Sequence, residues 1–138
     1  MRIWISAAFA ATALAACAPT PATEAGMEGA TSHVSRCFFT DRIANFAVDG
    51  STKIYLRSQR GDIYELTNAG GCSDLDFASG LGVTPISGGS SRICIGEDAR
   101  VQPIKAGPAD LAPTQCRFSV ARVLTPEEVA ALPAGARP

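Results

Sequence analysis

Four of the five cysteines, Cys37, Cys72, Cys94 and Cys116, fall within residues 36–133 at intervals of 35, 22 and 22. Structural zinc sites favour ligand pairs separated by two to four residues, and a dithiol redox site wants C-x-x-C; neither spacing occurs among these four. In an oxidising compartment, four cysteines in a unit of this size most economically form two disulfides, which supply stability that a small core lacks. Four cysteines allow three pairings, and spacing does not choose among them. Cys37 and Cys116 each open a terminal strand. If those strands are neighbours in a closed or nearly closed sheet, the pairs are Cys37 with Cys116 and Cys72 with Cys94.

The compartment is read from the N-terminus. Arg2 precedes a short apolar run, Ile3-Trp4-Ile5-Ser6-Ala7-Ala8-Phe9 and then alanine-rich sequence to Leu14, the form of a secretory signal. At about a dozen residues the run falls short of the roughly 20 needed to span a bilayer. Leu14-Ala15-Ala16-Cys17 resembles the bacterial lipobox. That resemblance implies that residues 1–16 are removed and that Cys17 becomes the acylated first residue, carrying diacylglycerol and a further chain such as palmitate. Two or more acyl chains anchor a protein stably, so the first expected partner is the membrane, through the lipid on Cys17. Ala18 stands where an inner-membrane retention signal would place Asp, which favours the outer membrane and a domain facing the periplasm. Ordinary cleavage after Ala13 or Ala15 is the competing reading, with Cys17 left as a free thiol. With Cys17 assigned to lipid, the odd cysteine count becomes an even one.

Residues 17–35 are rich in Ala, Pro, Thr, Glu and Gly and read as a lipid anchor and flexible tether, because such a segment buries too little apolar surface to offset its ordering entropy. The sole histidine, His33, sits there, so the folded unit is expected to contain none, and histidine-based catalytic dyads and triads drop out. A formal net charge of −1 lacks the basic surplus of a nucleic-acid binder.

Residues 36–133 read as a small β-rich domain, followed by a loose tail at 134–138. Residues 38–48 are rich in aromatic and β-branched types and end at Asp49-Gly50, a turn signal. Residues 52–57 and 62–67 flank Ser58-Gln59-Arg60-Gly61 and read as a hairpin in which Gly61 supplies a positive φ. A helical turn capped by Ser73 is expected at 73–78, and shorter strands at 81–86, 92–95 and 100–105. The segment 117–124 alternates Phe118, Val120 and Arg122 against Ser119, Ala121 and Val123. Thr125-Pro126-Glu127-Glu128 carries N-cap Thr, Pro at the first helical position and Glu at the third, a capping-box signature. The helix it starts is short and must dock Val129 and Leu132 on the sheet to persist. The expected fold is mainly β (small α+β): a compact antiparallel sheet or partly closed barrel of short strands, one short C-terminal helix and two disulfides.

Candidates for chemistry are few. Tyr55 and Tyr64 lie on the two hairpin strands, where a shared face would make them a binding platform with Arg57 or Arg60; the plainer expectation is that they pack. Asp74, Asp76, Glu97 and Asp98 would form an oxygen-ligand patch for calcium if a Cys72–Cys94 bridge drew them together, but no calcium-loop spacing supports it. Gly88-Gly89-Ser90-Ser91 lacks the Lys-Ser/Thr of a phosphate loop, and neither Lys53 nor Lys105 sits in a recognisable serine–lysine motif. No metal, cofactor or catalytic residue is assigned.

Cys37-Phe38, the strand at 43–48, the TKIYLR/DIYELT hairpin, Cys72 with Asp74-Leu75, Ile93-Cys94, Cys116 and the LTPEEVAALP ending together resemble a bacterial family of small exported proteins and lipoproteins catalogued as a domain of unknown function. The resemblance implies a small cysteine-containing exported domain and transfers no active site. The expected function is that of a non-enzymatic envelope binding or accessory module with an unknown envelope protein or ligand as partner. A periplasmic enzyme or enzyme inhibitor with an unrecognised site is the alternative.

Overall fold

A computed structural model of the chain describes residues 34–107 and 114–138. The leader, Cys17, the tether with His33 up to residue 33, and residues 108–113 of the Pro-rich loop lie outside them. The hairpin is built as its turn residues dictate. Strands β3 (Lys53–Ser58) and β4 (Ile63–Thr67) pair antiparallel with Leu56 opposite Tyr64. Gly61, at φ 94°, donates its N–H to the Ser58 carbonyl at 2.9 Å, a backbone conformation that costs a residue with a Cβ. Gly50, at φ 66°, turns the chain from β2 (Ile43–Asp49) into β3.

The expected single strand at 38–48 is two strands. β1 (Cys37–Phe39) ends in a 3₁₀ turn at Thr40–Arg42, after which β2 begins in a different sheet. Four further strands follow: β5 (Gly80–Pro85), β6 (Arg92–Cys94), β7 (Asp98–Ile104) and β8 (Cys116–Val123). Six of the eight form one nearly closed, barrel-like antiparallel sheet in the order β2-β3-β4-β8-β7-β5, and β1 and β6 form a separate two-stranded ribbon. The expectation of a mainly β fold with a partly closed sheet and two disulfides therefore holds.

The core lies on the concave face of the sheet. Ile54, Leu56, Tyr64, Leu66, Val101, Phe118 and Val120 meet there with Phe38 and Ile93 from the ribbon and Leu75 from a 3₁₀ turn at Leu75–Phe77. That turn is not capped by Ser73: its N-cap is Asp74, in the left-handed region at φ 69°. The Asp74 carboxylate accepts a hydrogen bond from Thr114 at 3.1 Å and lies 3.6 Å from the Lys105 ammonium. Those contacts hold a conformation that residues other than glycine adopt at a cost.

Strand β8 departs from simple alternation. Glu65 faces Arg122, while the next residue, Leu66, faces Val120, so Ala121 is an extra residue, a β-bulge that shifts the side-chain phase. Arg122 thereby turns outward to Glu65, and Val123 packs against the core. The expected grouping of Arg122 with Phe118 and Val120 is corrected by that one inserted residue.

On the outer face, helix α1 (Pro126–Ala131) begins with a complete capping box between Thr125 and Glu128. Val129 and Leu132 pack against Tyr55, Ile63, Leu124 and Ala136, as the docking argument requires. The tail is not loose. Residues 134–136 form a 3₁₀ turn that buries Ala136, and Arg137 donates to the carbonyls of Leu132 at 2.8 Å and Ala130 at 2.7 Å. A guanidinium there satisfies carbonyls that the end of a helix leaves free.

The disulfides join Cys37 to Cys94 and Cys72 to Cys116, which corrects the expected pairing of Cys37 with Cys116 and Cys72 with Cys94. The terminal strands are not neighbours. Cys37 stands directly opposite Cys94 in the β1–β6 ribbon, with Cα atoms 3.9 Å apart, whereas β8 lies between β4 and β7. Its first residue, Cys116, instead reaches the segment after β4 that carries Cys72, at a Cα separation of 5.8 Å.

Candidate functional site

The ribbon, the 3₁₀ turn after β1 and the tip of the β3–β4 hairpin enclose a groove of about 280 Å³ lined by Phe38, Phe39, Arg42, Ser58, Arg60 and Tyr64 among others. Three sets of contacts fix its walls. The Cys37–Cys94 bridge locks β1 to β6. Thr40 N–H donates to the Ser91 carbonyl at 2.8 Å, and Gln59 N–H donates to the Arg42 carbonyl at 2.9 Å, tying the turn to the hairpin tip. Tyr64 shares its phenolic proton between the carbonyls of Ser35 at 2.8 Å and Cys37 at 3.0 Å, and its ring lies 4.9 Å from that of Phe38. Burial raises the Tyr64 phenol above its usual range, partly opposed by the Ser35 hydrogen bond, so this anchor stays protonated at neutral pH.

Two features characterise the groove. Phe39, 40% exposed, lines it under the Arg42 guanidinium, which sits 5.3 Å from the ring centroid, a cation–π distance. Among the described residues Ser58 Oγ is buried with no hydrogen-bond partner, and an unmade bond of that kind costs about 1–3 kcal/mol. Among the described residues, neither Arg42 nor Arg60 is in an ion pair. Asp62 contributes the groove's one lining carboxylate.

The residues expected to form a platform are separated. Tyr55 pairs with Glu65 and Tyr64 with Leu56; these adjacent rungs place the rings on opposite faces. Tyr55 lies in the cluster that receives α1, where burial and then the Glu65 charge raise its phenol above the usual range. Arg57, exposed and opposite Ile63, does not line the groove, whereas Arg60 does. The missed signal was an aromatic three residues before an arginine, Phe39 and Arg42, immediately after the first cysteine of the fold.

The four carboxylates do not converge. Asp74 serves Thr114 and Lys105, Glu97 accepts from the Cys94 N–H at 2.9 Å, and Asp98 binds Arg117 Nε at 2.8 Å and the Ser119 hydroxyl. Among the described residues no group of three or more potential ligands is placed to hold a metal ion. The Cys72–Cys94 bridge that the calcium idea needed does not form. Among the described residues, no helix is long and apolar enough to cross a membrane.

Geometry thus defines a class: a small, twice-bridged antiparallel β domain with a lateral groove beside one bridge and a short helix docked on the opposite face. The chain belongs to a family of unknown function, DUF6491, whose model matches residues 1–137. Comparisons with curated proteins and with solved structures gave no match.

Proposed function

We propose that this is an exported, lipid-anchored protein of the bacterial envelope that works by binding, not by catalysis. In this reading Cys17 carries the lipid, residues 17–35 tether the domain to the outer membrane, and the groove at the hairpin tip takes the ligand in the periplasm. The single observation that carries the binding role is the groove itself, with an exposed aromatic and, among the described residues, arginines in no ion pair and a buried hydroxyl left without a partner. Two disulfides fit an oxidising compartment.

The test is photo-crosslinking in intact envelopes from a probe at Gln59, on the groove rim, with the same probe at exposed Thr84 on β5 as control. The expected result is a discrete adduct from Gln59 alone. Equal labelling from both positions, or none from Gln59, would remove the groove from the proposal. Intact mass of the mature chain separately tests the acylation of Cys17.

A further inference from the structure

We infer that the groove takes an apolar group bearing an adjacent carboxylate, such as the free C-terminal residue of a peptide or a small aryl-alkyl acid. The inference rests on the binding role proposed above and narrows it to a ligand class.

Size comes first. A groove of about 280 Å³ falls just below the range of pockets that bury drug-sized ligands, which leaves room for a group about as large as one amino acid. The lining then divides by chemistry. Phe38 and Phe39 supply aromatic wall, suited to an apolar side chain. Arg42 and Arg60 stand on the lining with Asp62 as the one carboxylate, a surplus of one positive charge. The Arg42 guanidinium carbon lies 5.3 Å from the Phe39 ring centroid, and guanidinium N–H donors match a carboxylate in a bidentate fork. The Gln59 N–H on the Arg42 carbonyl fixes the main chain that carries this side chain. Ser58 completes the lining on the hairpin side. A bare phosphate would leave the aromatic wall unused, and a cationic ligand would meet the charge surplus.

The full-length protein in detergent would be titrated by NMR and calorimetry with N-acetylphenylalanine, 3-phenylpropionate, N-acetylphenylalaninamide and inorganic phosphate. Expected are binding of the first two, shifts centred on Phe39, Arg42 and Ser58, and affinity for the amide weaker by about tenfold or more, the worth of a charge-assisted hydrogen bond. Preference between the two acids separates a peptide terminus from a free organic acid, and binding of either supports the inference. Arg42→Gln should cost about tenfold at unchanged melting temperature. Arg60→Gln serves as the second variant if Arg42→Gln unfolds the turn. Equal affinity for acid and amide, or phosphate bound as well as the acids, would overturn the carboxylate assignment while leaving a binding groove. No binding by any probe, with the Gln59 adduct still formed in envelopes, would sink the ligand class alone; loss of the adduct as well would sink both.

Discussion

Replacing Cys37 and Cys94 together by alanine removes a bridge that joins residues 57 apart. On the chain-entropy model, opening a loop of that length releases about 4 kcal/mol of restriction from the unfolded state. A domain of about a hundred residues has on the order of 5–15 kcal/mol of stability in all, and each kcal/mol corresponds to about 4–8 °C. The double variant should therefore melt about 15–30 °C lower. Its urea transition should also steepen, because an uncrosslinked denatured chain exposes more surface. The same bridge forms a wall of the groove and fixes the Cys37 carbonyl that receives the Tyr64 hydroxyl. Ligand-induced shifts at Phe39 should accordingly disappear before the domain unfolds. Pairing is read in the same experiment by counting thiols within the fold under native conditions. Removing Cys37 and Cys94 leaves Cys72 and Cys116 bridged and no thiol, whereas removing Cys37 and Cys116 strands one cysteine of each bridge and leaves two. A folded Cys37→Ala/Cys116→Ala variant with no free thiol would refute the connectivity. A loss below about 1 kcal/mol would refute the entropic argument.

Arg122→Met leaves the Glu65 carboxylate, 7% exposed, without its 2.8 Å partner, and should cost about 1–3 kcal/mol in urea melts; Glu65→Gln in the same background should recover part of the loss, and an additive double variant would show that the pair is not coupled. The Glu128 carboxyl is held below its usual range first by the Thr125 backbone N–H and then by Arg122, and Asp98 is lowered first by the Ser119 hydroxyl and then by Arg117. Folded pKa values below the unfolded ones mean stability present above about pH 4 and lost as pH falls through the folded values, so Glu128→Gln with Asp98→Asn should flatten the acid limb of the melting-temperature profile; an unchanged limb would count against both contacts. Truncation after Pro133 removes Ala136 and the Arg137 bonds to the end of α1 and should lower the melting temperature by several degrees, whereas a neutral truncation would return the tail to the loose state its composition suggests.

Local chemistry carried most of the fold. Gly61 and the capping box at Thr125 act within a few residues of themselves, so a hairpin and a helix start could be placed from sequence, and the need to dock Val129 and Leu132 followed from the helix being only six residues long. What escaped was whatever depended on which strands become neighbours. Nothing in residues 38–48 announces that the chain changes sheets at Thr40–Arg42, yet that change sets β1 against β6 and decides both disulfides. The β8 bulge is equally silent, because Arg122 finds Glu65, 57 residues away in the chain, only when Ala121 is left unpaired. The groove shares this origin. Phe39 and Arg42 lie on the segment where the chain leaves the ribbon, and Ser58 and Arg60 on the hairpin tip it meets, so their conjunction exists only after β1 has paired with β6. A site assembled where a chain changes sheets is hidden from periodicity, since its residues come from the end of β1, the turn after it and the tip of the β3–β4 hairpin, which no single alternation joins. At the groove Phe39 is left partly exposed, and among the described residues Ser58 Oγ is the buried polar side-chain atom without a hydrogen-bond partner.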